Sequence, residues 1–125
     1  MVTILVIDDE PAVRQALCRV LTAAQHEVIE AEDGRSGLEQ YEACHPAVVI
    51  VDIMMPDVDG IETIRSIRRT GNPAIVIAIS GGGASDPGTC LLNMAARLGA
   101  NATLRKPVRA AELVQTVERL LRLTH

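Results

Sequence analysis

A chain of 125 residues, 48% of them hydrophobic, is long enough to bury roughly two-thirds of its unfolded surface in one domain, and too apolar for disorder. Its net charge of −4 and its single aromatic residue, Tyr41, argue against nucleic-acid binding, which favours basic faces and stacking platforms. No apolar run is long enough to span a bilayer, and Cys18, Cys44 and Cys90 form no paired motif, so free thiols in a reducing cytoplasm are expected.

The opening segment, "MVTILVIDDE", lacks a basic region and reaches acid by its eighth residue, unlike a secretory leader. Within it, Thr3–Ile7 is a continuous apolar run, the pattern of a strand covered on both faces. Pro11 suits the first position of a helix, and Val13, Ala16, Leu17, Val20, Leu21 and Ala24 supply its apolar stripe. "HEVIEAE" (His26–Glu32) mixes polar and apolar residues and predicts a second strand at a sheet edge. An "EDG" turn at Glu32–Gly34 then leads into a short helix from about Ser36 to Cys44.

The third strand, Ala47–Val51, is wholly apolar and runs directly into Asp52. After Gly60, the isoleucines Ile61, Ile64 and Ile67 predict a helix, with Arg65, Arg68 and Arg69 towards the end where the dipole favours cations. Ala74–Ile79 is a fourth strand, followed by the glycine-rich "SGGGASDPG" of Ser80–Gly88. Leu91, Ala95 and Leu98 form another stripe, closed by Gly99 as C-cap. "NATLRK" (Asn101–Lys106) is a short, half-polar fifth strand, and Leu113, Val117, Leu120 and Leu121 mark the last helix.

Apolar first, third and fourth strands belong inside the sheet, and the second and fifth belong at its edges. Right-handed crossovers then give the order 2-1-3-4-5, an α/β doubly wound five-stranded parallel sheet in a single domain over residues 1–125. Such sheets bind ligands beyond the carboxyl ends of their strands, where strand order reverses. Asp8 and Asp9 end the first strand, Asp52 the third, Ser80 the fourth and Lys106 the fifth. One edge therefore receives three carboxylates, a hydroxyl and an ammonium.

Two carboxylates about 4 Å apart repel by roughly 4 kcal/mol at an effective dielectric of 20. Either some are protonated or a cation sits among them, and an all-oxygen set with room for water suits Mg²⁺. A cation and a lysine beside a carboxylate suit an arriving phosphoryl group, with Asp52 as nucleophile. Blander roles compete. Asp8 and Asp9 also favour a helix N-terminus, Asp52 could cap a helix, and Ser80 could be an ordinary turn residue.

Lys106 is the one lysine among twelve basic residues, which suggests a need for a compact point charge. Asp57 and Asp59 read as loop and helix-start residues rather than ligands. Met54 and Met55 read as packing or shielding groups, and His26, His45 and His125 as surface residues.

Together, "ILVIDDEP", "VIVDIMMPDVDG", "IVIAIS" and "LRKPV" resemble, in order and over essentially the whole chain, the receiver domain of two-component response regulators. The resemblance implies a flavodoxin-like (βα)5 fold in which Asp52 takes a phosphoryl group from a histidine kinase or histidine phosphotransfer protein. It implies Mg²⁺ held by Asp9, Asp52 and the backbone carbonyl of Met54, with Asp8 acting through water. Lys106 would hold a phosphoryl oxygen, its peptide to Pro107 being cis, and the Ser80 hydroxyl would move onto the phosphoryl group as a switch. The protein would be no enzyme beyond self-catalysed transfer and slow loss of its own phosphoryl group.

Three features depart from that family. Thr103 stands where an aromatic residue usually reports phosphorylation, and Val108 replaces another just after the Lys–Pro pair. The stretch from Ser80 to Lys106 is also longer than usual, and its loop Gly81–Gly88 is expected to serve as the mobile element instead.

The expected role is a cytoplasmic signalling module without nucleic-acid or membrane contact, with no room for an output domain, whether a stand-alone regulator, a phosphorelay shuttle or a receiver cut from a longer protein, and with its downstream target unnamed. The alternative is a pseudo-receiver that binds partners without phosphorylation; a phosphatase for free substrates would need an enclosed pocket and a general base, and neither is evident. Residues 1–62 hold 13 acids and 3 bases, whereas residues 63–125 hold 9 bases and 3 acids. That asymmetry, with Arg65, Arg68, Arg69, Arg97, Arg105, Arg109, Arg119 and Arg122, suggests an acidic partner for the second half.

Overall fold

The computed structural model describes residues 1–55, 60–71, 73–81 and 87–124. Strand and helix alternate throughout: β1 (Thr3–Ile7), α1 (Pro11–Ala23), β2 (Glu27–Ala31), α2 (Gly34–Cys44), β3 (Val48–Asp52), α3 (Gly60–Arg69), β4 (Ile75–Ser80), α4 (Pro87–Leu98), β5 (Ala102–Arg105) and α5 (Ala110–Thr124). All neighbouring strands are parallel, in the order β2-β1-β3-β4-β5. The three apolar strands are buried almost end to end, while β2 and β5 carry exposed residues at the edges.

Because successive strand residues face opposite sides, the apolar runs divide into two cores. Leu5, Ile7, Val49, Val51, Val76 and Ala78 meet Tyr41, Ile61, Ile64, Ile67 and Ala95 from α2, α3 and α4. Ile4, Val6, Val48, Ile50, Ile75, Ile77 and Ile79 meet Leu17, Leu21, Leu113, Val117 and Leu120 from α1 and α5. At roughly 25 cal/mol per Å² of apolar area buried, these two aliphatic layers stabilise the sheet in which the site is set. Among the described residues, no helix is long and apolar enough to cross a membrane.

Several expectations change in detail. The "EDG" segment is not a separate turn, because α2 begins at Gly34. Asp33 is its N-cap, accepting from the Ser36 amide at 2.8 Å while the Ser36 hydroxyl accepts from the Asp33 amide at 3.4 Å. Pro87 and Gly88 belong to α4, so the glycine-rich loop is shorter than Gly81–Gly88, and residues 82–86 lie outside the described residues, as do Asp57, Asp59 and His125. His26 is 7% exposed rather than a surface residue. The left-handed backbone of Gln25 (φ 75°) turns it inward, where Nδ1 accepts from the Val2 amide at 3.3 Å.

Arg68 is not presented to a partner: it donates to the carbonyls of Ala74 and Gly99 and to Asn101 Oδ1. Gly99 closes α4 in the left-handed region (φ 116°), as a C-cap glycine should.

Candidate functional site

The β1 ladder runs one residue past its last strand position, Asp8 donating its amide to Ala31 O at 3.1 Å. That places the Asp8 carboxylate at the carboxyl edge, 1% exposed, beside the end of β3. Asp52, the last residue of β3, is 3% exposed, paired with Ile79 of β4 and followed by the core residues Ile53 and Met55. Its Oδ1 accepts from the Met54 amide at 2.9 Å, a local turn that orients the carboxylate. Lys106 follows β5, anchored through its amide to Ser80 O at 2.8 Å, and its peptide to Pro107 is cis.

These strand ends converge on one ammonium. Lys106 Nζ lies 3.1 Å from Asp52 Oδ2, 3.3 Å from Asp8 Oδ2 and 3.4 Å from Glu10 Oε1. Asp8, Glu10 and Asp52 each offer a carboxylate oxygen, and those atoms all lie within 4.8 Å of one another. Three acids around one base leave an excess of two negative charges in a largely buried corner.

Burial pushes the Asp8 carboxyl above its ordinary value of 3.8, and Asp52 adds to the rise, against the pull of the Glu10 amide and Lys106. Burial also works against the Lys106 ammonium. Its hydrogen bond to Asp52 and the charges of Asp52 and Asp8 overcome this and hold it above 10.5.

Not every residue expected at the site joins the cluster. Asp9 is exposed, and its carboxylate is not among the grouped ligand atoms. Met54 is exposed and Met55 is buried in the core. Ser80 is buried at the end of β4, its hydroxyl donating to the Gly81 carbonyl at 3.1 Å. Thr103 is exposed on β5.

Glu10 was missed: only its place as the third acid of "DDE" hinted at it, since its reach to Lys106 depends on how the chain leaves β1. Arg14 was also missed. Its Nη1 donates to the Asp8 carbonyl at 2.8 Å and its Nε to Glu30 Oε1 at 3.0 Å.

The acid cluster suits a divalent cation with oxygen ligands. Asp8 Oδ2 is buried, has no hydrogen-bond partner among the described residues, and is offset only by the ion pair with Lys106. An unsatisfied buried carboxylate oxygen is costly unless something charged meets it. Hard oxygen donors with one flank open match Mg²⁺.

Residues 4–118 match the family model described as the response regulator receiver domain. The chain is 35% identical over 123 residues to the response regulator MprA of Mycolicibacterium vanbaalenii, covering 98% of this chain and 52% of that protein. Among solved structures, the receiver domain of NtrX from Brucella abortus superposes with a TM-score of 0.88 at 30% identity, covering 95% of this chain and 98% of that one. The Vibrio cholerae chemotaxis protein CheY4 gives a TM-score of 0.84 at 26% identity, covering 95% and 98%. The chain spans about half the length of the curated relatives it matches.

Proposed function

The chain belongs to the response regulator receiver domain family of two-component signalling, and from that premise we propose that Asp52 is its phospho-accepting residue. The donor is a histidine kinase or histidine phosphotransfer protein. An Asp52 oxygen forms the new bond to phosphorus as the bond from phosphorus to the donor imidazole breaks, and the imidazole nitrogen takes up a proton as it leaves. The product is an aspartyl phosphate, and its slow hydrolysis is the only turnover.

The observation that carries this reading is the 3.1 Å approach of Lys106 Nζ to the buried Asp52 carboxylate at the carboxyl edge of the sheet. The ammonium stands where charge arrives with a phosphoryl oxygen, already oriented before the reaction. Asp9, Asp52 and the Met54 carbonyl would hold Mg²⁺, with Asp8 acting through water and Glu10 beside them, and the ion would supply further charge neutralisation. The Ser80 hydroxyl, now on the Gly81 carbonyl, would change partner on phosphorylation. The proposed setting is the cytoplasm, with an acidic downstream protein as the partner of the basic second half.

Intact mass after incubation with acetyl phosphate and Mg²⁺ tests this for wild type and Asp52→Ala. A single phosphoryl adduct on wild type, absent from the variant and with EDTA, supports the reading. A folded wild type that takes no adduct overturns it in favour of a pseudo-receiver that only binds partners.

A further inference from the structure

Asp8 has four polar atoms, and the fold holds all but one of them by hydrogen bonds. Its amide donates to Ala31 O, its Oδ1 accepts from the Glu10 amide at 2.9 Å, and its carbonyl accepts from Arg14 Nη1 at 2.8 Å. The fourth atom, Oδ2, faces Lys106. The carbonyl bond is the unusual one, because β1 pairs with β2 only as far as Ile7 and Ala31, and the Asp33 amide that would come next in that ladder goes to the Ser36 hydroxyl. A guanidinium from α1 meets the Asp8 carbonyl instead.

Arg14 is itself held. Its Nε donates to Glu30 Oε1 at 3.0 Å, and its side chain is only 15% exposed. Rotation about the Asp8 Cα–C bond would break the Nη1 contact. That same rotation sets the direction of Asp9 and the position of the Glu10 amide that orients Asp8 Oδ1.

We propose that Arg14 is a positioning residue for the acid loop, fixing the Asp8–Asp9 peptide so that its carboxylates are aimed at a bound divalent cation. The inference rests on the metal-dependent receiver reading above and deepens it. A planar fork suits this task, since two of its nitrogens serve two acceptors at once, which a lysine ammonium on a flexible stem cannot do with the same rigidity.

Two effects of removing Arg14 oppose each other. Deleting a positive charge near the site should strengthen cation binding by Coulomb attraction alone, but that charge is paired with Glu30 and screened. Loss of an orienting partner behind a metal ligand typically weakens metal affinity by about 10–100-fold. The second effect is larger, so the sign of the change separates positioning from simple charge removal.

The experiment is Mn²⁺ binding followed by electron paramagnetic resonance, with Mg²⁺ competition, on wild type, Arg14→Ala, Arg14→Lys and an Arg19→Ala control. Thermal melts by circular dichroism accompany each variant. Arg14→Ala is expected to weaken Mn²⁺ binding by about 10-fold, with Arg14→Lys between it and wild type and Arg19→Ala unchanged. Acetyl phosphate labelling should then need more Mg²⁺ for half-maximal rate but reach the wild-type rate at saturation.

Unchanged or tighter binding in a folded Arg14→Ala overturns the inference. If that variant melts below the assay temperature, Arg14→Lys decides by the same criterion. A wild type that binds no Mn²⁺ or Mg²⁺ at all defeats the metal-site reading itself, a different failure from the first.

Discussion

Lys106 Nζ and Asp52 Oδ2, 54 positions apart in the chain, stand 3.1 Å from each other. Neither is placed by its sequence neighbours: Asp52 is set by the end of the buried β3, and Lys106 by the end of β5, two strands away. The sheet thus assembles a charge pair from two strand ends with no ligand needed to bring its members together. Three acids face that ammonium, and its loss is the first consequence to consider.

Lys106→Met is expected to lower stability in EDTA by about 2 kcal/mol, because the acids are left without their counter-charge. Mg²⁺ should stabilise the variant more than wild type by binding only the folded state. Urea midpoints by far-ultraviolet circular dichroism, with and without Mg²⁺, check both points. The Lys106 pKa is raised above 10.5, so its contribution is fully present below pH 10.5 and is lost as pH rises through the folded value. As pH rises from neutral, the stability gap between wild type and variant should therefore narrow only above pH 10.5.

Asp8 has the opposite consequence at neutral pH. Its folded pKa lies above 3.8, so the stability linked to its protonation is complete below pH 3.8 and is lost as pH rises through the folded value. Ionised Asp8 costs stability at pH 7. Asp8→Asn should accordingly raise stability in EDTA by about 1 kcal/mol, or roughly 4 °C in melting temperature, with no gain below pH 3.8. A melting temperature equal to or below that of wild type at pH 7 would refute this account of the cluster.

Sheet order was legible in the sequence because a doubly wound sheet imposes a visible rule. Interior strands such as Val48–Asp52 must be apolar on both faces, whereas β2 and β5 tolerate Glu27, Glu30 and Arg105. The polar residues at strand ends followed from that order. The cation among the acids and the phosphoryl-accepting role of Asp52 followed from that charge cluster, whereas the Met54 carbonyl and the Ser80 switch came only from the resemblance to a family.

Residues whose positions depend on loop trace were not legible. Glu10 reaches Lys106 only because of how the chain leaves β1, and His26 turns inward only through the left-handed Gln25. Arg68 looked the same as Arg65 and Arg69 until the turn at Gly99 came within its reach. Local pattern predicts which face a residue occupies but not which distant carbonyl it meets.

Gly60 starts α3 hard against the end of β3, where a Cβ would collide with the backbone of Asp52 and Ile53. Backbone cannot rotate aside as a side chain can, so Gly60→Ala must push α3 away or displace the peptide of Asp52 itself. A loss of about 1–3 kcal/mol is expected, together with slower phosphorylation by acetyl phosphate in whatever fraction remains folded. A variant with wild-type urea midpoint and labelling rate would show that the junction relaxes without cost.

Arg68 and Arg69 end the same helix, yet their replacement should differ sharply. Arg68 Nη1 donates to the Ala74 carbonyl at 2.8 Å, its Nε and Nη2 to the Gly99 carbonyl at 3.0 and 2.8 Å, and its Nη2 also to Asn101 Oδ1 at 2.8 Å. Asn101 Oδ1 in turn accepts from the Val76 amide, so one guanidinium ties the end of α3 to β4 and to the turn between α4 and β5. Removing it leaves half-buried carbonyls without that donor, and hydrogen bonds to charged groups are worth about 1.5–3 kcal/mol. Arg68→Ala should therefore cost about 2–3 kcal/mol. Arg69→Ala, at an exposed position, should stay within about 0.5 kcal/mol of wild type. Arg68→Lys should recover only part of the loss, because an ammonium cannot reproduce the fork that holds Ala74 and Gly99 together. Equal urea midpoints for the Arg68→Ala and Arg69→Ala variants would mean that the three-way tie contributes nothing beyond the helix-end charge.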